Sequence, residues 1–200
     1  QLLVVALGSF SFILGSFTVQ SWGQTLLGQS FKFEASTVAT LFMLVSLGDL
    51  LGRLGSAWIS DRIGRRWTMF SFGLIGALGA VIVAFSAHWE TSWIIFFTGI
   101  CITMAFGDGA FGILNAFGGE QFPNGARGTG LGLGYGIGAI AKISGPLLMG
   151  AMIGSENLKE LAHPLAAVFP AFLFFAAMLV LGGFVYMLAR ETKGEVLEDI

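Results

Sequence analysis

The chain has 200 residues, of which 55% are hydrophobic and 11% are charged. Soluble domains carry roughly 25% charged residues, so this composition indicates a membrane protein. The formal net charge is −2 and the basic residues form no tract, which argues against a nucleic-acid partner. The single cysteine excludes an intrachain disulfide, and no Cys and His spacing predicts a metal site.

Six apolar stretches are long enough to cross a hydrocarbon core of roughly 30 Å, which takes about 20 helical residues. They must be helices, because backbone groups without hydrogen-bond partners are costly in lipid. We place these spans near residues 1–28, 37–59, 67–87, 93–117, 128–154 and 166–189. Residues 190–200 are then a cytoplasmic tail. The predicted fold is therefore an all-α membrane protein with one bundle of six transmembrane helices.

Basic residues are distributed unevenly among the predicted loops. The second and fourth loops and the tail hold Arg62, Arg65, Arg66, Arg127, Arg190 and Lys193. The other three loops hold only Lys32 and Lys159. By the positive-inside rule, both ends of the chain face the cytoplasm. We therefore expect an integral protein of a plasma or inner membrane.

The stretch "RGTGLGLGYGIG", residues 127–138, has a glycine at every even position. The spacing does not fit a phosphate-binding loop. On a helix, Gly128, Gly132 and Gly136 form one ladder, and Gly130, Gly134 and Gly138 form a second ladder on nearly the opposite face. Small residues at this spacing let helices approach closely in lipid, so we expect close packing between two neighbours. A bending helix and simple tight packing both stay open.

The most specific motif is "GSAWISDRIGRRW", residues 55–67. It resembles the G-x-x-x-D-R-x-G-R-R signature of the major facilitator superfamily, with a longer gap after the glycine. The matching residues are Gly55, Asp61, Arg62, Gly64, Arg65 and Arg66.

Two further strings support the same resemblance. "EQFPNGARGTG" is similar to the segment between helices ten and eleven of sugar porters and related organic-acid symporters. "RETKGEVLEDI" is similar to the ending of those transporters, with Arg190 where proline is usual. The resemblance covers essentially the whole chain and implies the C-terminal six helices of a twelve-helix transporter.

The resemblance also implies a gate at the cytoplasmic side. An ion-pair cluster there would hold the inner gate shut in the outward-facing state, and its members would be Arg65, Arg66, Glu120, Arg127 and Glu191. Asp61 is expected near the N-terminal end of the fifth helix, where unpaired N–H groups favour a carboxylate. The alternative, that the arginines only determine topology, stays open.

Four charged residues lie inside the predicted spans: Asp49, Arg53, Asp108 and Lys142. A charge near the bilayer centre costs about 3 kcal/mol or more, so such residues usually face the bundle interior and have a function. Asp49 and Arg53 are spaced to neutralise each other on one helix face. We hypothesise that Lys142 or Arg53 attracts a substrate carboxylate and that Asp49 or Asp108 carries a coupled proton.

Several neutral polar residues are further candidates for the substrate pathway. Gln20, Trp22 and Gln24 lie in the first span, where they line a polar pocket or only anchor the helix at the interface. Asn115 in the fourth span is a similar candidate. In "YGIGAIAK", Lys142 follows Ala139, which stands where aromatic-acid symporters usually have arginine.

These features predict a secondary carrier that moves a small organic acid or sugar by alternating access, with proton coupling. A non-transporting sensor or scaffold on the same fold is the alternative. No nucleophile and base pair, metal set or cofactor loop is recognisable, so we expect neither an enzyme nor a cofactor. The expected partners are the lipid bilayer, a small-molecule substrate, and an N-terminal half-bundle or a second copy of the chain.

Overall fold

The computed structural model describes residues 1–154 and 164–194. Within those ranges the chain is helical and has no β-strand. The α-helices are α1 Leu2–Gln29, α2 Ala35–Ile63, α3 Arg65–His88, α4 Trp93–Ile102, α5 Phe111–Glu120, α6 Arg127–Gly138, α7 Ala141–Ile153, α8 Pro164–Ala167 and α9 Phe169–Met187. A π-helical segment, Thr103–Asp108, connects α4 to α5, and a 3-10 turn, Asn124–Ala126, precedes α6.

Six helical spans are long and apolar enough to cross a membrane. The first three are α1, α2 and α3, while the fourth, Trp93–Glu120, combines α4, the π-helical segment and α5. The fifth, Asn124–Ile153, contains α6 and α7, and the sixth, Leu165–Met187, contains α9. The predicted all-α class with six transmembrane helices is confirmed. Of the predicted tail, residues 195–200 lie outside the described residues.

The helices surround α1, which packs against α9, α6 and α7. In its most apolar window 67% of α1 is buried, compared with 11% for α2, so α1 is central and α2 is peripheral. Large aromatic side chains fill the interior, and those that are fully buried are Phe12, Phe96, Phe117, Phe172, Phe175 and Tyr186. Dispersion contacts between such side chains hold the bundle together, because lipid provides little hydrophobic driving force between helices.

Close backbone contact fixes α2 to the fourth span. A Cβ atom on Gly52 would overlap the backbone carbonyl of Ala105, so only glycine allows this approach. The Ser56 hydroxyl donates a hydrogen bond to the Gly109 carbonyl at 2.8 Å. A Cβ atom on Gly112 would lie 2.5 Å from the Ser56 Oγ. These contacts set the rotation of both helices and therefore the direction of their polar side chains.

The two glycine ladders of α6 have different surroundings. Cβ atoms built on Gly130, Gly134 and Gly138 would lie 2.5 Å from Phe122, 2.8 Å from Val5 and 2.6 Å from Ser9, respectively. For the other ladder, nothing within residues 1–154 and 164–194 lies within 4 Å of a Cβ built on Gly128, Gly132 or Gly136. Within the described residues, a neighbour therefore packs on only one of the two ladders. The reason is that α1 covers only one face of α6, while the opposite face is at the surface of the bundle.

The α-helical hydrogen bonding of the fifth span is interrupted between α6 and α7. The amide of Ile140 bonds the carbonyl of Ile137 at 3.2 Å, and the amide of Lys142 bonds the carbonyl of Ala139 at 3.0 Å. This three-residue spacing tightens the helix locally. Pro146 in α7 has no N–H group to donate to the carbonyl of Lys142. Lys142 therefore lies at the start of a new helical segment, α7.

Candidate functional site

A polar cavity of about 340 Å³ lies among α1, α2 and the fourth and fifth spans. Its lining residues are Ile13, Ser16, Phe17, Gln20, Arg53, Asp108, Phe111, Asn115, Tyr135 and Lys142. The structure thus brings five of the residues proposed from the sequence, Gln20, Arg53, Asp108, Asn115 and Lys142, to one cavity.

Arg53 bridges two carboxylates beside this cavity. Its Nε donates to both carboxylate oxygens of Asp49, each at 3.0 Å, and its Nη2 forms an ion pair with Asp108. Asp49 is one helical turn before Arg53, whereas Asp108 belongs to the fourth span. Asp108 therefore has a partner from a neighbouring helix, which its spacing along the chain does not reveal.

Asp108 receives further support from α1. The buried Ser16 hydroxyl lies 3.2 Å from the Oδ1 of Asp108 and 2.9 Å from the carbonyl of Phe12. A hydroxyl has one hydrogen to donate, so Ser16 donates to one of these acceptors at a time. The π-helical segment ends at Asp108, and such segments are frequent at functional sites.

Lys142 faces the cavity from the fifth span. In the described residues no carboxylate lies within ion-pair distance of its ammonium group. Its aromatic contact is with Phe17, whose ring centroid is 6.0 Å from Nζ. This distance is at the limit of a cation–π interaction, so Lys142 has no strong direct partner in the described residues. The aromatic rings of Phe17, Phe111 and Tyr135 form the apolar part of the lining.

The remaining pathway candidates lie outside the cavity. Asp49 lies behind Arg53 and does not line it. Trp22 is half-buried and packs against the hydrophobic core. Gln24 lines a separate hollow between α1 and α2, together with Thr25 and Gln29.

Sequence reasoning missed Ser16 and Tyr135, which also line the cavity. Each lies one or two helical turns from a residue that was considered: Ser16 is on the same face of α1 as Gln20, and Tyr135 is on the same face as Lys142. Helical spacing from Gln20 and Lys142 could therefore have identified Ser16 and Tyr135 as lining residues.

An ion-pair cluster occupies the end of the bundle where α2 meets α3, which we call the basic end. Arg65 is central: its Nη1 lies 2.8 Å from Asp61, and its Nε lies 3.6 Å from Glu120. The backbone amides of Arg65 and Arg66 donate to the Glu191 carboxylate at 2.9 and 3.1 Å. The cluster therefore connects the α2–α3 junction to the fourth span and to the segment after α9.

Glu191 caps the N-terminal end of α3. Partial burial raises the pKa of its carboxyl group, but hydrogen bonds from four backbone amides outweigh this effect and hold the pKa below its usual value of 4.5. The donors are Arg65, Arg66, Thr192 and Lys193. Gly64, just before α3, has a φ of 99°, a conformation that favours glycine.

Two motif residues make few contacts in the described residues. The Asp61 side chain is 72% exposed and its ion pair is with Arg65. Its expected proximity to the N-terminal end of the fifth helix stays a prediction. Gly55 is open, with nothing in the described ranges within 4 Å of a built Cβ, and Ala57 stands at the signature position four residues before the aspartate.

Two arginines lie at the edge of the cluster. Arg62 stacks on Trp58, with its guanidinium carbon 3.6 Å from the ring centroid. The Cγ of Arg127 lies 3.5 Å from a Cβ built on Gly119, so this arginine covers the end of the fourth span.

Comparisons with known proteins identify the family of the chain. The family model of the Major Facilitator Superfamily matches residues 5–199. The putative niacin/nicotinamide transporter NiaP of Bacillus subtilis is 29% identical over 156 residues, which are 78% of this chain and 36% of that protein. The niacin transporter NiaP of Acinetobacter baylyi is 28% identical over 193 residues, covering 96% of this chain and 40% of that protein.

A solved structure shows the same fold. The proton:xylose symporter XylE, bound to 6-bromo-6-deoxy-D-glucose, superimposes with a TM-score of 0.74 at 19% sequence identity. The match covers 98% of this chain and 40% of XylE. The chain thus spans less than half the length of the proteins that it matches, and these relatives are transporters rather than enzymes. The chain belongs to the major facilitator superfamily of membrane transporters.

Proposed function

We propose that the chain is one half of a secondary carrier that moves a small organic acid by alternating access. The observation that carries this proposal is the lysine in the cavity. Lys142 has no ion-pair partner in the described residues and faces Arg53, which is paired with both Asp49 and Asp108. A substrate carboxylate would pair directly with the Lys142 ammonium group.

The rest of the lining supports an aromatic acid as substrate. Phe17, Phe111 and Tyr135 provide flat apolar surfaces, on which a planar ring would pack. Gln20 and Asn115 add neutral hydrogen-bonding groups. One relative is named a niacin transporter and another a putative niacin/nicotinamide transporter, and niacin is a planar ring that bears one carboxylate. A sugar fits less well, because it leaves the Lys142 charge uncompensated.

Proton coupling follows from the charge balance of the cavity. With Asp49 and Asp108 ionised, their charges balance those of Arg53 and Lys142. A proton on either aspartate leaves one net positive charge, which favours an organic anion. By linkage, the bound anion favours the proton to the same extent. The carrier would therefore move the anion and the proton together.

A second six-helix half would complete the path. Gly48 and Gly55 on α2, like the outer glycine ladder of α6, have open space where a Cβ would stand. Only 11% of the most apolar window of α2 is buried. Small residues on an exposed helix face suit close packing against another helix in lipid. We propose that a companion half packs here, either an N-terminal half-bundle or a second copy of the chain.

The basic end would be the cytoplasmic gate. We propose that Arg65, Arg66, Glu120, Arg127 and Glu191, with the motif residues around Asp61, hold the inner side closed in the outward-facing state. Basic residues are concentrated in alternate loops, and this distribution supports a cytoplasmic position for this end, in a plasma or inner membrane. Residues 1–189 would be the membrane bundle, and residues 190–200 the cytoplasmic tail.

Transport in proteoliposomes tests the proposal. The chain is reconstituted alone and with its companion half, and uptake of nicotinate, benzoate and xylose is measured with and without an inward proton gradient. We expect uptake of the two acids only when both halves are present, and faster uptake with the gradient. Uptake of xylose but not of the acids would contradict the substrate class. No uptake of any compound by either preparation would favour a non-transporting sensor.

A further inference from the structure

A second cavity lies at the basic end, on the side of the bundle formed by α3 and α9. It encloses about 320 Å³, and its lining includes Arg66, Trp67, Met187, Glu191 and Lys193. It shares no lining residue with the substrate cavity. It lies where the α2–α3 junction meets the segment after α9.

Cationic groups with free donors dominate this cavity. Arg66 donates from Nη2 to the carbonyl of Met187, but its Nε is buried and has no hydrogen-bond partner in the described residues. Lys193 donates from Nζ to the carbonyl of Arg62, and an ammonium group has two further hydrogens to donate. The one carboxylate of the lining, Glu191, already accepts four backbone hydrogen bonds. The cavity therefore favours an anion that accepts several hydrogen bonds.

The surroundings of the cavity are apolar and exposed. Ile63, Trp67 and Leu188 have exposed side chains at this end of the bundle, and Phe184 is exposed on α9 before them. Tryptophan is typical of the zone where lipid headgroups meet the hydrocarbon. Basic donors beside an apolar, lipid-facing surface match both parts of a phospholipid.

We propose that this cavity binds the headgroup of an anionic phospholipid. The phosphate oxygens accept hydrogen bonds from Arg66 and Lys193, and the acyl chains extend along Trp67 and Leu188. Charge complementarity and the apolar surroundings together favour a phospholipid over free phosphate. A bound lipid would connect the α2–α3 junction to the segment after α9 at the basic end.

Native mass spectrometry of the full chain, in the oligomeric form in which it purifies, tests this site. The protein is released from nanodiscs of phosphatidylcholine with phosphatidylglycerol, and the retained lipids are counted. We expect retained phosphatidylglycerol in the wild type and about five-fold weaker retention in Lys193→Gln, since one charge near the surface is removed. Lys193→Arg, which keeps the charge, should retain the lipid.

Lys32→Gln is the matched control, because it removes an identical charge from an exposed position in the loop between α1 and α2. Equal retention in Lys193→Gln and wild type, or equal loss in Lys193→Gln and Lys32→Gln, would overturn the proposal. A separate arm adds inorganic phosphate to protein in phosphatidylcholine alone. If inorganic phosphate binds as well as phosphatidylglycerol and depends equally on Lys193, the site binds free phosphate and the lipid assignment is wrong.

Discussion

The two walls of the polar cavity differ in how their charges are balanced. One wall, which we call the paired wall, consists of Arg53 and Asp108 on α2 and the fourth span, with Asp49 behind Arg53, which bridges both carboxylates. The other, the open wall, consists of Tyr135 and Lys142 on the fifth span. In the described part of the chain, Lys142 has no ionic partner. Among the charged residues of the described chain that line the cavity, the one without an ion-pair partner is therefore on the open wall.

Packing does not separate the two walls, because the helices of both have closely packed and open glycines. Behind the paired wall, Gly52 and Gly112 allow contacts so close that a Cβ atom would not fit, whereas nothing described lies within 4 Å of a Cβ built on Gly48 of α2. In α6 the inner glycine ladder is closely packed and the outer ladder is open, and the α-helical hydrogen bonding is interrupted at Ala139, just before Lys142. The walls therefore differ in charge pairing, and we propose that the unpaired lysine contacts the substrate and the open glycines contact the companion half.

The largest expected effect comes from a substitution that disrupts the packing behind the paired wall. In Gly52→Ala the new methyl group meets the backbone carbonyl of Ala105, which cannot rotate away. We expect a loss of about 3 kcal/mol in the free energy of unfolding, as in severe overpacking. Thermal unfolding in detergent measures it, with Gly48→Ala on the same helix as control, since nothing described lies within 4 Å of that site. Equal stability of the two variants would contradict the close contact.

Removing the central charge breaks the pairing itself. Arg53→Met leaves the carboxylates of Asp49 and Asp108 facing each other without a cation. We expect the free energy of unfolding to fall by about 2 kcal/mol. Breaking a fully buried pair costs roughly 3–5 kcal/mol, and the effect is smaller here because the Arg53 side chain is 43% exposed.

The control for this variant neutralises all three side chains, as Asp49→Asn, Arg53→Met and Asp108→Asn together. Its free energy of unfolding should lie within about 1 kcal/mol of the wild-type value, because no unpaired charge remains. If the triple variant is as unstable as Arg53→Met, the loss arises from packing and not from unpaired charge.

Substitutions in α6 sharpen the description of the open wall. Gly132→Ala meets no described atom within 4 Å and replaces a poor helix former, so the chain alone should be more stable by up to about 1 kcal/mol. Gly134→Ala should be destabilised, because its Cβ would lie 2.8 Å from Val5. With the companion half present, only Gly132→Ala should lower copurification without loss of stability. The opposite ranking of the two variants in unfolding would contradict the assignment of faces.

The smallest expected effect concerns the basic end. The Glu191 pKa is lower in the folded chain than its usual value of 4.5, so the carboxylate stabilises the fold above that pH. The contribution is lost as the pH falls through the lowered pKa. Glu191→Gln should therefore lower the free energy of unfolding by about 0.5 kcal/mol at neutral pH and by little in acid. Unfolding measured at a series of pH values tests this. A constant difference at every pH would show that the charge is not responsible.

The sequence predicted much of the fold and part of the site. The spans follow from hydropathy, because the length of an apolar helix is fixed by the bilayer. Gln20, Arg53, Asp108, Asn115 and Lys142, which the sequence proposed as pathway residues, line one cavity. The partners could not be predicted, since the Arg53–Asp108 pair depends on the rotation of two helices.

Contacts between helices could not be predicted from a single sequence. Helical periodicity places Ser16 on the same face of α1 as Gln20, but nothing in the sequence identifies it as a partner of Asp108. The two ladders of α6 are equivalent in sequence, and only the position of α1 decides that Gly134 is covered while Gly132 is open. Periodicity therefore predicts faces of helices but not their neighbours.

The most direct test of the account is the dependence of uptake on the charge of Lys142. Nicotinate uptake is measured in proteoliposomes that contain the chain with its companion half, and Lys142→Gln, Lys142→Arg and the distant Lys32→Gln are compared with the wild type. We expect nicotinate uptake to fall at least roughly ten-fold in Lys142→Gln, which corresponds to about 1.4 kcal/mol. Lys142→Arg should keep partial uptake, and Lys32→Gln should have the uptake of the wild type. Unaltered uptake by Lys142→Gln would contradict the account.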